Sequence, residues 1–159
     1  MAASETGPYL VVATLCEQAI EAKDGRISVI NMIEQVTRRQ SGPEASDEMP
    51  PFKFGVKVVV ALKAGSAQGR YAIRIQPEDP VGMKLDAIEQ PVQFSGGPSS
   101  GVRLVGDLRL DLQREGLYWI DVTLIRGRGE AKAEQLLTRM PLRVVYLPQG
   151  QTATTPPAG

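Results

Sequence analysis

The side chains able to do acid–base, nucleophilic or metal chemistry are few in this chain. It has no histidine and one cysteine, Cys16. That removes imidazole acid–base catalysis, Ser-His-Asp and Cys-His arrangements and most zinc sites. One thiol cannot build a metal–thiolate cluster within the chain. No Gly-x-x-x-x-Gly-Lys-Ser/Thr loop is present to cradle a phosphate. No Gly-x-Gly-x-x-Gly opens a helix after a strand, and "GPSSG" lacks the spacing of a nucleophile elbow. The expectation is a chain without cofactor and without catalytic residues.

Four features remain. Cys16 needs a neighbouring cation to become a reactive thiolate, and otherwise reads as a small apolar residue in a strand. Glu78 and Asp79 form the best acidic pair, and with a second acidic loop such as Asp47-Glu48 they are the candidate ligands for calcium, which wants six to eight oxygens. The same pair is the only candidate for a carboxylate-only hydrolase, and no platform of aromatic residues accompanies it. Arg126–Glu130, "RGRGE", could touch a phosphate, and equally reads as a solvated turn.

The fourth feature, Trp119, depends on how strands present their side chains. Apolar and polar residues alternate with a period of two over most of the chain, the pattern of half-buried strands. "VRLVGDLRLDLQ" puts Val102, Leu104, Leu108, Leu110 and Leu112 on one face. "FKFGVKVVVALK" does the same with Phe52, Phe54, Val56, Val58, Val60 and Leu62. "RYAIRIQ" turns Tyr71, Ile73 and Ile75 inward, "LYWIDVTLI" turns Tyr118, Ile120, Val122 and Leu124 inward, and "MPLRVVYL" is a last strand. Trp119 and Ile125 then face outward, as do Val59, Ala61 and Val105. Apolar residues out of phase with the core are the composition of an interface. Trp119, Ile125, Val59 and Val105 are the candidate interface residues.

Turn chemistry separates the runs: Gly65 and Gly69, "PEDPVG" at 77–82, "SGGPSSG" at 95–101 and "REG" at 114–116. Two turns enter their strands as Gly-x-Tyr, at Gly69-Arg70-Tyr71 and Gly116-Leu117-Tyr118, each a turn glycine followed by a ring that plugs one end of the core. "CEQAIEAKDGRISVIN" has helix-like spacing in its first half, but Asp24-Gly25 lies between two strand-prone runs, so a hairpin is expected. "GEAKAEQLL" at 129–137, made of good helix formers, is the one short helix candidate or else a hairpin tip. The polar, proline-containing link at 38–51 and the tail at 148–159, without apolar periodicity, are expected to be unstructured, and residues 1–8 form an N-terminal lead.

The fold expected is all-β: one antiparallel β-sandwich over 9–147, immunoglobulin-like or C2-like, with roughly eight strands (a number set by the runs counted above). Lys+Arg and Asp+Glu are both 18, which speaks against nucleic acid or a membrane surface as partner by bulk charge. The N-terminal residues lack a basic leader and a long apolar run. With a single cysteine, a reducing, cytoplasmic setting is expected.

"LCEQAIEAKDGRISVINMIEQV", then "FKFGVKVVVAL", "GRYAIRI" and a late "GLYWIDVTL…PLRVVYL", resembles an uncharacterised bacterial family of small proteins known as a domain of unknown function. Its members open with a Leu-Phe-Cys-Asp-like strand, matched here by Leu15-Cys16-Glu17, and continue through a Gly-Lys/Arg turn, matched by Gly25-Arg26. The resemblance runs from Leu10 to Leu147 and implies a β-sandwich. It carries over no activity and no catalytic residue, and the long acidic link at 38–51 departs from it. The function expected is a non-enzymatic interaction or assembly module. It would bind itself or a protein partner through the outward residues, with a small-ligand or calcium-binding domain as the alternative.

Overall fold

The computed structural model describes residues 7–42, 46–97, 100–127 and 129–148. The expected lead, up to residue 6, and the expected tail, from 149 onward, lie outside the described residues. Nine strands are present among them, in chain order: β1 Tyr9–Glu21, β2 Ile27–Met32, β3 Gln35–Gln40, β4 Phe52–Lys63, β5 Gln68–Glu78, β6 Ile88–Ser95, β7 Gly101–Leu112, β8 Gly116–Arg126 and β9 Ala133–Pro148. They form two sheets, ordered β2-β1-β4-β7 and β3-β9-β8-β5-β6. The architecture is sandwich-like, as the alternation implies. No helix of the described residues is long and apolar enough to cross a membrane.

The inner faces follow the sequence phase. Val58, Val60, Leu108, Leu110 and Leu112 from one sheet meet Ile73, Ile75, Ile120, Val122 and Leu142 from the other, all at 1% exposure or less. Each such side chain contributes on the order of 2 kcal/mol by leaving water. Both Gly-x-Tyr rings are buried. Tyr71 packs edge-on to Phe94, with ring centroids 5.1 Å apart. The Tyr118 hydroxyl donates to the Arg114 carbonyl at 2.7 Å and closes the "REG" turn. Burial pushes the Tyr118 phenol up from its ordinary range.

Three expectations change. First, the fold is not wholly antiparallel, because β3 runs parallel to β9. The run after Asp24-Gly25 is two strands rather than one: the chain leaves the first sheet after Met32, and Glu34 already accepts from the Arg143 N–H in the second. Second, of the two readings of "GEAKAEQLL" the hairpin tip holds and the helix does not: it contains a 3₁₀ turn, Gly129–Ala131, after which β9 begins at Ala133. Nine residues are too few to sustain a helix alone, and pairing along β8 satisfies their backbone instead. Third, the link at 38–51 begins inside β3, and its end is anchored. Met49 is 7% exposed and belongs to the core, and the Tyr146 hydroxyl donates to the Ser46 carbonyl at 2.6 Å.

Met49→Ala is therefore expected to cost about 2 kcal/mol or more in chemical denaturation, the range for a buried methionine. A loss below about 0.5 kcal/mol, as for a surface residue, would contradict the anchoring.

Candidate functional site

The four candidate interface residues occupy two different faces. Val59 and Val105 are direct cross-strand partners on β4 and β7, in the four-stranded sheet. Trp119 and Ile125 lie on β8 in the five-stranded sheet. They do point away from the inter-sheet core, yet Val59 and Ile125 are only 2% and 4% exposed. Something other than the opposite sheet covers them.

On the five-stranded sheet the cover is charged side chains. Arg74 on β5 forms a two-pronged ion pair with Glu134 on β9, at 3.0 and 2.8 Å. β8 lies between those strands, and Thr123 and Ile125 are its residues opposite Arg74 and Glu134 respectively. The pair thus reaches across both. Lys132 joins it at 3.2 Å, and hydrogen bonding to these two cations holds the Glu134 carboxyl down at about 2. Nearer the other end, the Arg139 guanidinium stacks 5.0 Å over the Trp119 ring, while bonding Asp121 at 2.7 Å and facing Glu78 at 3.6 Å. Trp119 is a half-buried platform for Arg139 rather than an open apolar surface.

The acidic pair is divided by the same alternation. Glu78 joins the Arg139 network on the outer face. Asp79 is buried, and its Oδ1 accepts the N–H groups of Val81 and Met83 at 3.0 and 2.8 Å. Its Oδ2 lies 3.6 Å from Arg114. These bonds build the 79–83 turn. Among the described residues, no three His, Cys, Asp or Glu converge as metal ligands.

On the four-stranded sheet the cover comes from the chain itself. β1 pairs with β4 only as far as Cys16↔Lys57, and Gln18–Glu21 pair with β2 alone. The β1–β2 hairpin is therefore an arm, closed at Asp24-Gly25 as expected. Val12 stands opposite Ala61, and Ala61 opposite Arg103. Gly25 is thirteen residues past Val12, so a straight strand would carry it roughly 40 Å away. Yet the Arg103 guanidinium donates to the Gly25 carbonyl. The arm must fold back over the outer face of its own sheet. The bend falls at Glu17 and Asn31, where the pairing is interrupted. Asn31 has a left-handed φ of 54°, and its side-chain amide donates to Glu17 at 2.8 Å. Val59 and Cys16 are both buried on that side of the sheet, outside the inter-sheet core. Burial pushes the Cys16 thiol up, and nearby Lys57 only partly opposes this, the reverse of what a reactive thiol needs.

Reading the sequence for out-of-phase residues missed the arm itself. Of the nine large apolar residues exposed among the described ones, Ile20, Val29 and Met32 lie on the arm, and Tyr9, Val11 and Val12 on the part of β1 that runs along β4. The signal was available: "ISVINM" is an apolar strand without a single charge.

No protein-family model matches the chain, and no curated protein does. Among solved structures it is similar to one described as the crystal structure of the C-terminal domain of wzt, at 11% identity and a TM-score of 0.45, covering 89% of this chain and 75% of that one.

Removing the Arg103 latch tests the folded-back arm. Native Cys16 should resist a thiol reagent, and Arg103→Ala should raise its labelling rate roughly fivefold, the equivalent of one net hydrogen bond of about 1 kcal/mol. Fast labelling of the native protein, or a rate unmoved by the substitution, would contradict the arrangement.

Proposed function

We propose that this chain is a non-enzymatic interaction module whose contact element is the β1–β2 arm. The observation that carries the reading is that Ile20, Val29 and Met32 stand exposed on that arm beside an edge strand. Elsewhere Val59 and Ile125 are buried and Trp119 is half-covered by Arg139, while Leu136 and the start of β1 stay exposed.

The backbone supports the same reading. The Ala22 N–H donates to the Arg26 carbonyl, so alternation along β2 aims the backbone groups of Ser28 and Ile30 at β1 and those of Ile27 and Val29 away from it. β2 is an edge strand. Soluble proteins usually blunt such edges with lysine, proline or a covering segment, and Ile27–Met32 has neither residue. An apolar, uncharged edge suits a partner that adds a strand of its own, with backbone bonds giving affinity and side chains at alternate positions giving selectivity. Kinship with the bacterial family of unknown function, an immunoglobulin-like or C2-like grouping of the sandwich and a cytoplasmic setting belong to the same proposal.

A photoreactive benzoyl-phenylalanine placed at Met32 should yield protein adducts in the native cells, and one placed at the exposed Gln113 should not. Absence of adducts at 32, or equal yields at both positions, would overturn the reading.

A further inference from the structure

A hollow of about 780 Å³ lies away from the arm, on the outer face of the five-stranded sheet. That volume is within the usual range of small-molecule sites. Its floor is one cross-strand row: Pro91 on β6, Ala72 on β5 and Ile125 on β8 stand side by side in register. Ala72 separates the long side chains of Arg70 and Arg74, which opens the depression. Pro91 is tolerated because β6 is an edge strand. Gly127 and Gly129, in the "RGRGE" turn, help line the hollow, and Lys132 follows them.

The polar groups at the rim are unbalanced. Arg70 and Gln93 face each other across β5 and β6, and among the described residues neither side chain makes a hydrogen bond or ion pair. Among the described residues Lys132 pairs only with Glu134, which already takes two bonds from Arg74. Glu89 stands opposite Arg74 and, among the described residues, makes no hydrogen bond or ion pair. Glu134 is thus engaged, while a guanidinium, a carboxamide and a partly satisfied ammonium face the Glu89 carboxylate around an apolar floor. A surplus of donors over acceptors calls for an acceptor ligand, and a free guanidinium fork matches a carboxylate or phosphate in geometry and charge.

We propose that this hollow binds a small organic anion, a carboxylate or phosphate ester carried on a flat apolar body. Arg70 takes the anionic group with Gln93 beside it, Lys132 adds a second positive charge, and the body lies on Pro91 and Ala72, next to the buried Ile125. The site is independent of the arm, and neither stands or falls with the other.

The test is a titration of the ¹⁵N-labelled protein with benzoate, phenyl phosphate and uncharged benzyl alcohol. Saturable shifts at the Ala72, Gln93 and Ile125 amides are expected with at least one anion, at a Kd on the order of 1 mM, a value open to a small ligand with few contacts. Arg70→Ala should weaken that binding roughly tenfold or more, as loss of a charged hydrogen-bond donor does. Lys132→Gln should weaken it too, with both variants melting like the native protein. Absence of saturable shifts, undiminished binding by Arg70→Ala, or equal binding of benzyl alcohol would overturn the proposal.

Discussion

A β-strand presents side chains to two faces, and in a two-layer fold only one face of each sheet meets the other layer. Every apolar residue on an outer face must therefore be covered locally or stay wet. Most of what distinguishes this molecule follows from that constraint. The inner faces need little beyond alternation and size. The outer faces hold Trp119, Thr123, Ile125, Val59 and Cys16, and three devices deal with them: the Arg139 stack, the Arg74–Glu134 bridge across β8, and the hairpin arm bent back to Arg103. Long charged side chains suit the first two roles, because their stems cover apolar surface while their heads stay in water.

The arm solves one exposure problem by creating another. It folds over the face that holds Val59 and Cys16, but among the described residues its own strands then have no layer above them and no strand beside β2. Coverage of that sheet stops one hairpin short, and the apolar residues of β1 and β2 remain in solvent. On the five-stranded sheet the equivalent shortfall is polar. Its ion pairs use up their carboxylates and leave donors around the small floor at Ala72. Both candidate sites are thus places where local covering ends, one with unburied carbon and the other with unmatched positive charge.

What was legible in the sequence follows the same division. The inward sets on β4, β5, β7 and β8 can be read because each depends on period two within one strand. The Asp24-Gly25 hairpin can be read because its turn residues are local. β3 escaped because no glycine or proline separates it from β2, and its parallel partner β9 lies about a hundred residues further on. The burial of Ile125 escaped because it depends on Arg74 and Glu134, sixty residues apart, arriving on either side of β8. Met49 escaped as a single apolar residue in a polar link. Each miss is a long-range contact that no window along the chain contains.

The central claim is that β2 offers an open backbone edge on an apolar arm. Residue-resolved amide exchange along β2 in dilute protein tests it most directly. The account predicts slow exchange at Ser28 and Ile30, whose N–H groups face β1, and near-free exchange at Ile27 and Val29, whose N–H groups face outward. Equal protection at Val29 and Ile30 in the monomer would mean that the edge is already paired within its own chain, and would contradict the account.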